Sequence, residues 1–345
     1  MLAELPKNNE VINVTLHDLA LSDKTVSVMV KLLQNFPNLQ RLELFNVGAS
    51  PGIPLTVAKE LEGLKHVKHV GIRIDNDYGL NERKLNATML TEVLTHLPHL
   101  ESLTFTRVGS VKGKIVATSL EYLTNLQYLD LADNCIGADG AVAVAKGLKN
   151  AVNLQYLDLE NNGIGDDETV TIAEGLKNAA SLQTLKLRGN AIGDEGVAAL
   201  AEGIKHLTSL QVLELEDNEI GDGGAAALAE SLKHLTSLQT LNLGSNRIGD
   251  DGVVALTRGL KNLTSLEKLV LYDNEIGDMG AAKLAKETKH LSSLEGLYLR
   301  FNKISDEEHA KLTEVWYSKT GWTGLKHLSL GCSGFNAPKR AYYSQ

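Results

Sequence analysis

His206 and His234 stand at equivalent places in two repeated stretches, so they are the first residues to weigh as a metal pair. If each closes a helix in adjacent layers, a layer spacing of about 10 Å is too wide for two ligands of one ion at about 2 Å. Asp217-Asn-Glu-Ile-Gly-Asp222 has the rhythm of a calcium loop, yet Gly221 falls where a ligand is needed and no acidic residue closes the loop. Cys332, with His327 five residues before it, offers a thiol and a base without the third group and oxyanion site that a cysteine hydrolase requires. The chain has no H-E-x-x-H, no G-x-S-x-G, no phosphate loop and no G-x-G-x-x-G. These residues predict a protein that is not an enzyme and uses no metal and no cofactor.

Composition narrows the alternatives. With 345 residues and 43% apolar content the chain can bury a large core. A formal net charge of -9 argues against a nucleic-acid backbone as partner, because that recognition draws on clustered Lys and Arg. A protein with a basic surface patch fits better. The opening residues lack a basic start followed by an apolar run, and no later segment approaches the ~18 apolar residues of a membrane helix, so the expectation is no secretion signal and no membrane. Only Cys135 and Cys332 occur, far apart, which points to a reducing, cytoplasmic compartment. In such a compartment the sequons at Asn13, Asn86 and Asn262 read as accidents of Asn-rich turns.

The elements that must position any site follow from self-similarity. The pattern L-x-x-L-x-L-x-x-N places Asn at 134, 162, 190, 218, 246, 274 and 302, every interval 28 residues. Weaker anchors are Leu19, Val47, Asp75 and Val108 before this run and Ser333 after it. The segment before each anchor, such as Leu210-Gln-Val-Leu213-Glu-Leu215, alternates as a half-buried strand does. The Asn amide donates and accepts at once, which suits it to satisfying backbone groups of its own and the neighbouring coil. Ile follows two residues on, then Gly in six units. Asp166, Asp194, Asp222, Asp250, Asp278 and Asp306 come next and read as N-caps of the helix that follows. In that helix Ala225, Leu228, Ala229, Leu232 and Leu235 form one apolar stripe, and Lys closes it at 149, 177, 205, 233, 261 and 289.

Strands at about 4.8 Å backed by helices at about 10 Å must curve with the sheet inside. The prediction is a single α/β domain over 1–345: divergent repeats and an N-terminal cap in 1–125, regular repeats in 126–305, and a C-terminal cap and tail in 306–345. Twelve strands would make an inner arc on the order of 55 Å, enough to wrap a small globular partner. The five extra residues between Asp75 and Val108 predict a mobile loop over 76–84.

The unit N-x-I-G-D-x-G-A-x-x-L-A-x-x-L-K, seen at Asn190 to Lys205 and Asn218 to Lys233, resembles the cytosolic leucine-rich repeats of the ribonuclease inhibitor subfamily. It is also similar to the repeats of NOD-like receptors and of the Ran GTPase-activating protein. The resemblance covers 126 to 305 strongly and 1 to 125 weakly. It implies a right-handed leucine-rich-repeat horseshoe, parallel sheet on the concave face and helices on the convex face. It also implies a stand-alone interaction protein that regulates or inhibits a partner enzyme. Alternatives within the resemblance are a GTPase activator of the Ran type, with Arg107 and Asn134 as the nearest candidates, or a bacterial effector or adaptor acting in a host cytosol.

Alternation in the strand assigns the open face to the residues six, four, two and one before each anchor. These give Tyr128, Asp130 and Asp133, then Tyr156, Asp158 and Glu160, then Lys186 and Arg188, then Glu214, Glu216 and Asp217. Seven acids thus flank a two-residue basic island, and like charges in register repel, a cost more readily explained by binding than by folding. Farther along the face come Tyr272 and Asp273, then Tyr298, Arg300 and Phe301, aromatic and Arg residues of the kind found at interface hot spots. For Phe301 a second reading stays open, in which it caps the last coil with Trp316 and Trp322. The predicted role is a protein-binding module, monomeric when unbound, that uses these residues.

Overall fold

Leucines two residues apart can share one side of the chain only if the backbone between them is extended, and each coil obliges with one short strand. The computed structural model describes residues 10–17, 20–21, 31–45, 48–49, 64, 66–73, 94, 97–107, 119–317 and 327–330. The strands are β1 (Asn13–His17), β2 (Ala20–Leu21), β3 (Arg41–Phe45), β4 (Gly48–Ala49), β5 (His69–Arg73), β6 (Ser102–Thr106), β7 (Tyr128–Asp130), β8 (Tyr156–Asp158), β9 (Thr184–Lys186), β10 (Val212–Glu214), β11 (Thr240–Asn242), β12 (Lys268–Val270), β13 (Gly296–Tyr298) and β14 (His327–Ser329). All but β2 and β4, which pair with each other, form one open twelve-stranded sheet whose order follows the chain. Every pairing is parallel and in the register of the repeat, so Leu213 sits between Leu185 and Leu241. The expected loop over 76–84 and the anchors Leu19, Val47, Asp75, Val108 and Ser333 lie outside the described residues.

Between strands the chain returns through α1 (Gly137–Leu148), α2 (Asp166–Leu176), α3 (Asp194–Ile204), α4 (Asp222–Leu232), α5 (Asp250–Leu260), α6 (Asp278–Glu287) and α7 (Asp306–Tyr317). The stripe read from the sequence is the buried face: Ala225, Leu228, Ala229 and Leu232 of α4 are covered, as is Leu235 beyond it. The core is a continuous column of Leu and Ile from one coil to the next, as a stack of units that cannot bury their own faces requires. Lys149, Lys177, Lys205, Lys233 and Lys261 are the C-cap residues of α1 to α5; Lys289 lies instead in a short 3-10 turn, Thr288–His290.

The Asn column bridges coils as expected. Asn190 Oδ1 accepts the amides of Asn162 and Ile164 at 3.0 Å each. Its Nδ2 donates to Leu159 O at 3.0 Å in the preceding coil and to Leu187 O at 2.9 Å in its own. At Asn218, Asn246 and Asn274 the Oδ1 likewise accepts the Ile amide of the preceding coil, and the Nδ2 donates to that coil's Leu carbonyl. An apolar side chain here would leave several buried backbone groups unsatisfied, which explains the identity of the residue without any ligand.

The Asp column departs from the expectation. Asp166 is the first residue of α2, not its cap; the cap is Gly165, whose extended backbone brings no side-chain bond. Asp166 Oδ1 instead accepts the amides of Gly193 at 2.7 Å and Gly196 at 2.9 Å, the start of helix α3 in the next coil. Asp222 does the same for Gly249 and Gly252, and Asp250 for Gly277 and Gly280. Each carboxylate therefore meets the positive end of its neighbour's helix and ties two coils together. It also explains the second glycine of the motif: a Cβ on Gly196 would lie 2.5 Å from Asp166 Oδ1.

Candidate functional site: the concave face

In each regular coil the middle strand residue is leucine and points into the core, which sends its two neighbours to the concave face. The residue before each anchor then turns left-handed: φ is +62 at Asp133, +52 at Asn161, +64 at Gly189, +56 at Asp217, +50 at Ser245, +51 at Asp273 and +59 at Phe301. That turn swings the anchor Asn into the core. Asp, Asn and Gly tolerate it, so Asp133, Asp217 and Asp273 answer to the backbone as well as to any partner. Phe301 has no such excuse. A bulky residue there is strained, and Phe301 is 45% exposed, with the Arg300 guanidinium 4.4 Å from its ring centre. It is not buried as a core cap would be.

The charged strands are more tightly knit than their sequence suggests. Lys186 Nζ lies between Asp158, at 3.8 Å, and Glu214, at 4.0 Å, and 5.7 Å from the centre of the Tyr156 ring. Arg188 Nε reaches Glu216 Oε1 at 3.3 Å. Glu216 also accepts Asn242 Nδ2 at 2.7 Å and the Tyr272 hydroxyl at 2.5 Å, with the Tyr272 ring packed over Gly244. Asp158 takes the Tyr156 hydroxyl at 2.9 Å. Only 6% of Asp158 and 7% of Glu216 remain accessible, so these two act first as partners of their neighbours. The basic island is thus neutralised across strands, which answers on folding grounds much of the repulsion inferred from sequence.

Repulsion survives to the N-terminal side of the island. Tyr128 and Tyr156 stack with centroids 4.2 Å apart and planes 7° from parallel, and they shelter the acids beside them. Burial pushes the Asp130 carboxyl above its ordinary range, with Asp158 adding to it. Glu160 is pushed up to about 7, first by burial and then by Asp158. Burial and the neighbouring carboxylate also raise the Tyr156 hydroxyl.

Asp133 is held from both sides, by Arg107 Nε at 3.2 Å and Asn161 Nδ2 at 2.9 Å. Asp273 accepts the Ser245 hydroxyl at 3.1 Å. Lys268 Nζ lies 5.4 Å from the centre of the Tyr298 ring. The predicted residues therefore fall into an acidic patch around β7 to β10 and an aromatic, basic patch around β12 and β13. Sequence reasoning missed Asn242 and Gly244, which position Glu216 and Tyr272; their signal was a coil whose open-face strand positions, Thr240 and Asn242, carry no charge between the charged coils on either side. His206 and His234 stand exposed beyond their helix ends, and Cys332 lies outside the described residues.

Compared with known proteins, residues 122–145, 150–167, 178–201, 206–229, 234–256 and 262–285 match the Leucine Rich repeat pattern. No curated protein matches the sequence. The fold is similar to that of the crystal structure of an internalin from Listeria monocytogenes, with a TM-score of 0.51 at 19% identity over 94% of this chain and 88% of that one. The matched segments between 122 and 285 are leucine-rich repeats, and they belong to an open α/β solenoid with its parallel sheet on the inner face.

Proposed function

We propose that the chain is a binding module, not an enzyme, that holds a partner protein against its concave sheet and so regulates it. The observation that carries this reading is Phe301: an aromatic ring displayed on strained backbone, beside Arg300, at a position where every other regular coil has Asp, Asn, Gly or Ser. Strain kept where relief was one substitution away is a cost to the fold, and it is best accounted for by contact with something outside the chain. Tyr298 and Tyr272 extend the patch, while the acids of β7 to β10 favour a partner with a basic surface.

A helix in every regular coil and the N-x-I-G-D unit support placement near the ribonuclease inhibitor subfamily, and with it a cytoplasmic setting and a monomer when unbound. No helix among the described residues is long and apolar enough to cross a membrane. The GTPase-activator reading finds less support. Asn134 is only 3% exposed and bonds Leu131 O at 2.8 Å and Phe105 O within the ladder, and Arg107 is paired with Asp133. The test is capture of a partner by the wild-type chain and by Phe301→Gly in parallel. Retention by the first and loss by the second is expected; equal retention would refute the assignment of the face.

A further inference from the structure

On the concave face Glu43 and Phe45 of β3, Thr104 and Thr106 of β6, and Asp130 of β7 surround a hollow of about 250 Å³. Four adjacent strands carry it, so it is about 15 Å wide. Its volume falls below the ~300–1,000 Å³ of sites for drug-sized ligands. It suits one or two amino-acid side chains. Phe45, stacked on His17 at 4.9 Å between ring centres, makes an apolar wall, and the two threonines add methyl groups and hydroxyls.

The charges around the hollow are unevenly matched. Glu43 is paired with Arg41 at 3.1 Å, and Asp133 with Arg107 at 3.2 Å. Asp130 receives the Ala132 amide at 3.0 Å on Oδ1, and no cation stands within ion-pair distance of it among the described residues. Arg73 lines the hollow from β5, two strands or about 10 Å from β7, and has an interaction of its own within the chain. A positive group entering at the β7 side therefore gains Asp130 while staying clear of Arg73.

We propose that this hollow is a socket for one basic side chain of the partner, its guanidinium or ammonium paired with Asp130 and its methylene stem laid along Phe45 and the threonine methyls. The raised titration of Asp130 accords with a half-buried carboxylate whose counter-charge comes from outside. The stem contact follows from the way Arg and Lys bury their methylenes while their charge stays polar-bound. The inference rests on the concave-face reading above and names the chemistry that reading left general.

The experiment needs no identified partner. N-acetyl-arginine methylamide is titrated into the full chain and followed by amide chemical shifts, with N-acetyl-glutamate methylamide as the opposite charge. Saturable shifts centred on Thr104, Thr106 and Asp130 with the arginine probe alone are expected. Asp130→Asn, nearly isosteric and checked for an unchanged far-ultraviolet spectrum, should weaken that binding by about tenfold, and Phe45→Ala should weaken it less. Binding of the arginine probe unaffected by Asp130→Asn, preference for the glutamate probe, or no saturable shift would overturn the socket. Because Phe301→Gly tests the wider face at the other end of the sheet, loss of the socket alone and loss of the binding face give different results.

Discussion

The coils from β7 to β13 and the coils before them solve the same problem differently. In the regular stretch each strand is three residues long, and the Asn and Asp columns carry the remaining polar load between coils. In β1, β3, β5 and β6 the strands run to five residues, and the anchor positions Leu19, Val47, Asp75 and Val108 hold no Asn. There each pair of strands is joined by a longer ladder of backbone bonds. What the difference teaches is that invariance in this chain reports folding, whereas candidate recognition lies where the pattern breaks: at Phe301, at Asn242 and Gly244, and in the hollow between β3 and β7.

The strongest way to break this comparison is Asn190→Ala. It strips acceptors from Asn162 and Ile164 and a donor from Leu159 O and Leu187 O. A loss of about 3 kcal/mol or more is expected in urea denaturation, since several buried backbone groups lose their partners at once. A loss under about 1 kcal/mol would mean the Asn column is not what sustains the regular coils.

Next in size is Asp222→Ala, which removes the shared acceptor of Gly249 and Gly252 in the following coil and should cost about 1–2 kcal/mol. The assignment across coils is sharpened by a double-mutant cycle. Gly252→Ala would drive its Cβ to 2.5 Å from Asp222 Oδ1, so it should be harmful in the wild-type chain and milder once Asp222 is Ala. Additive costs would restore the within-coil cap that the sequence suggested.

A smaller effect of opposite sign is expected at Phe301→Gly. Releasing the left-handed aromatic should stabilise the fold by about 1 kcal/mol while weakening partner binding. A destabilised variant would show that the ring supports the last coils and is not held for recognition.

The slightest effect is at Glu160, whose carboxyl is pushed up to about 7. The folded chain then keeps a proton that the unfolded chain, titrating near ~4.3, has already released. Stability from this group is therefore lost as pH rises from about 4.3 to 7, the reverse of an ion-paired carboxylate. Glu160→Gln should raise the melting temperature at pH 8 and leave it unchanged at pH 4. A lower melting temperature at pH 8 would show that Glu160 is stabilised by Lys186 and Arg188 instead.

Much of this architecture was legible because 28-residue spacing converts directly into strands in register and helices behind them. The Asn bridges followed from the chemistry of an amide repeated every coil. The Asp column was misjudged because a helix cap is ordinarily local, and one sequence does not say whether a carboxylate serves its own coil or the next. The left-handed turn before each anchor was visible as a run of Asp, Asn, Gly and Ser, but those residues suit a charged binding face equally well. Glu216 and Asp158 looked like open acids, and only the placement of Arg188, Tyr272 and Tyr156 around them reveals that they are occupied.

The central claim is that the concave sheet recognises a protein. Dissociation of the captured partner should be timed side by side for the wild type, Tyr298→Ala and Lys205→Ala, the last altering a lysine paired with Glu202 on the convex side. The account predicts that Tyr298→Ala speeds dissociation by about 30-fold, equivalent to about 2 kcal/mol, and that Lys205→Ala leaves it unchanged. Unaltered dissociation from Tyr298→Ala together with release by Lys205→Ala would contradict it.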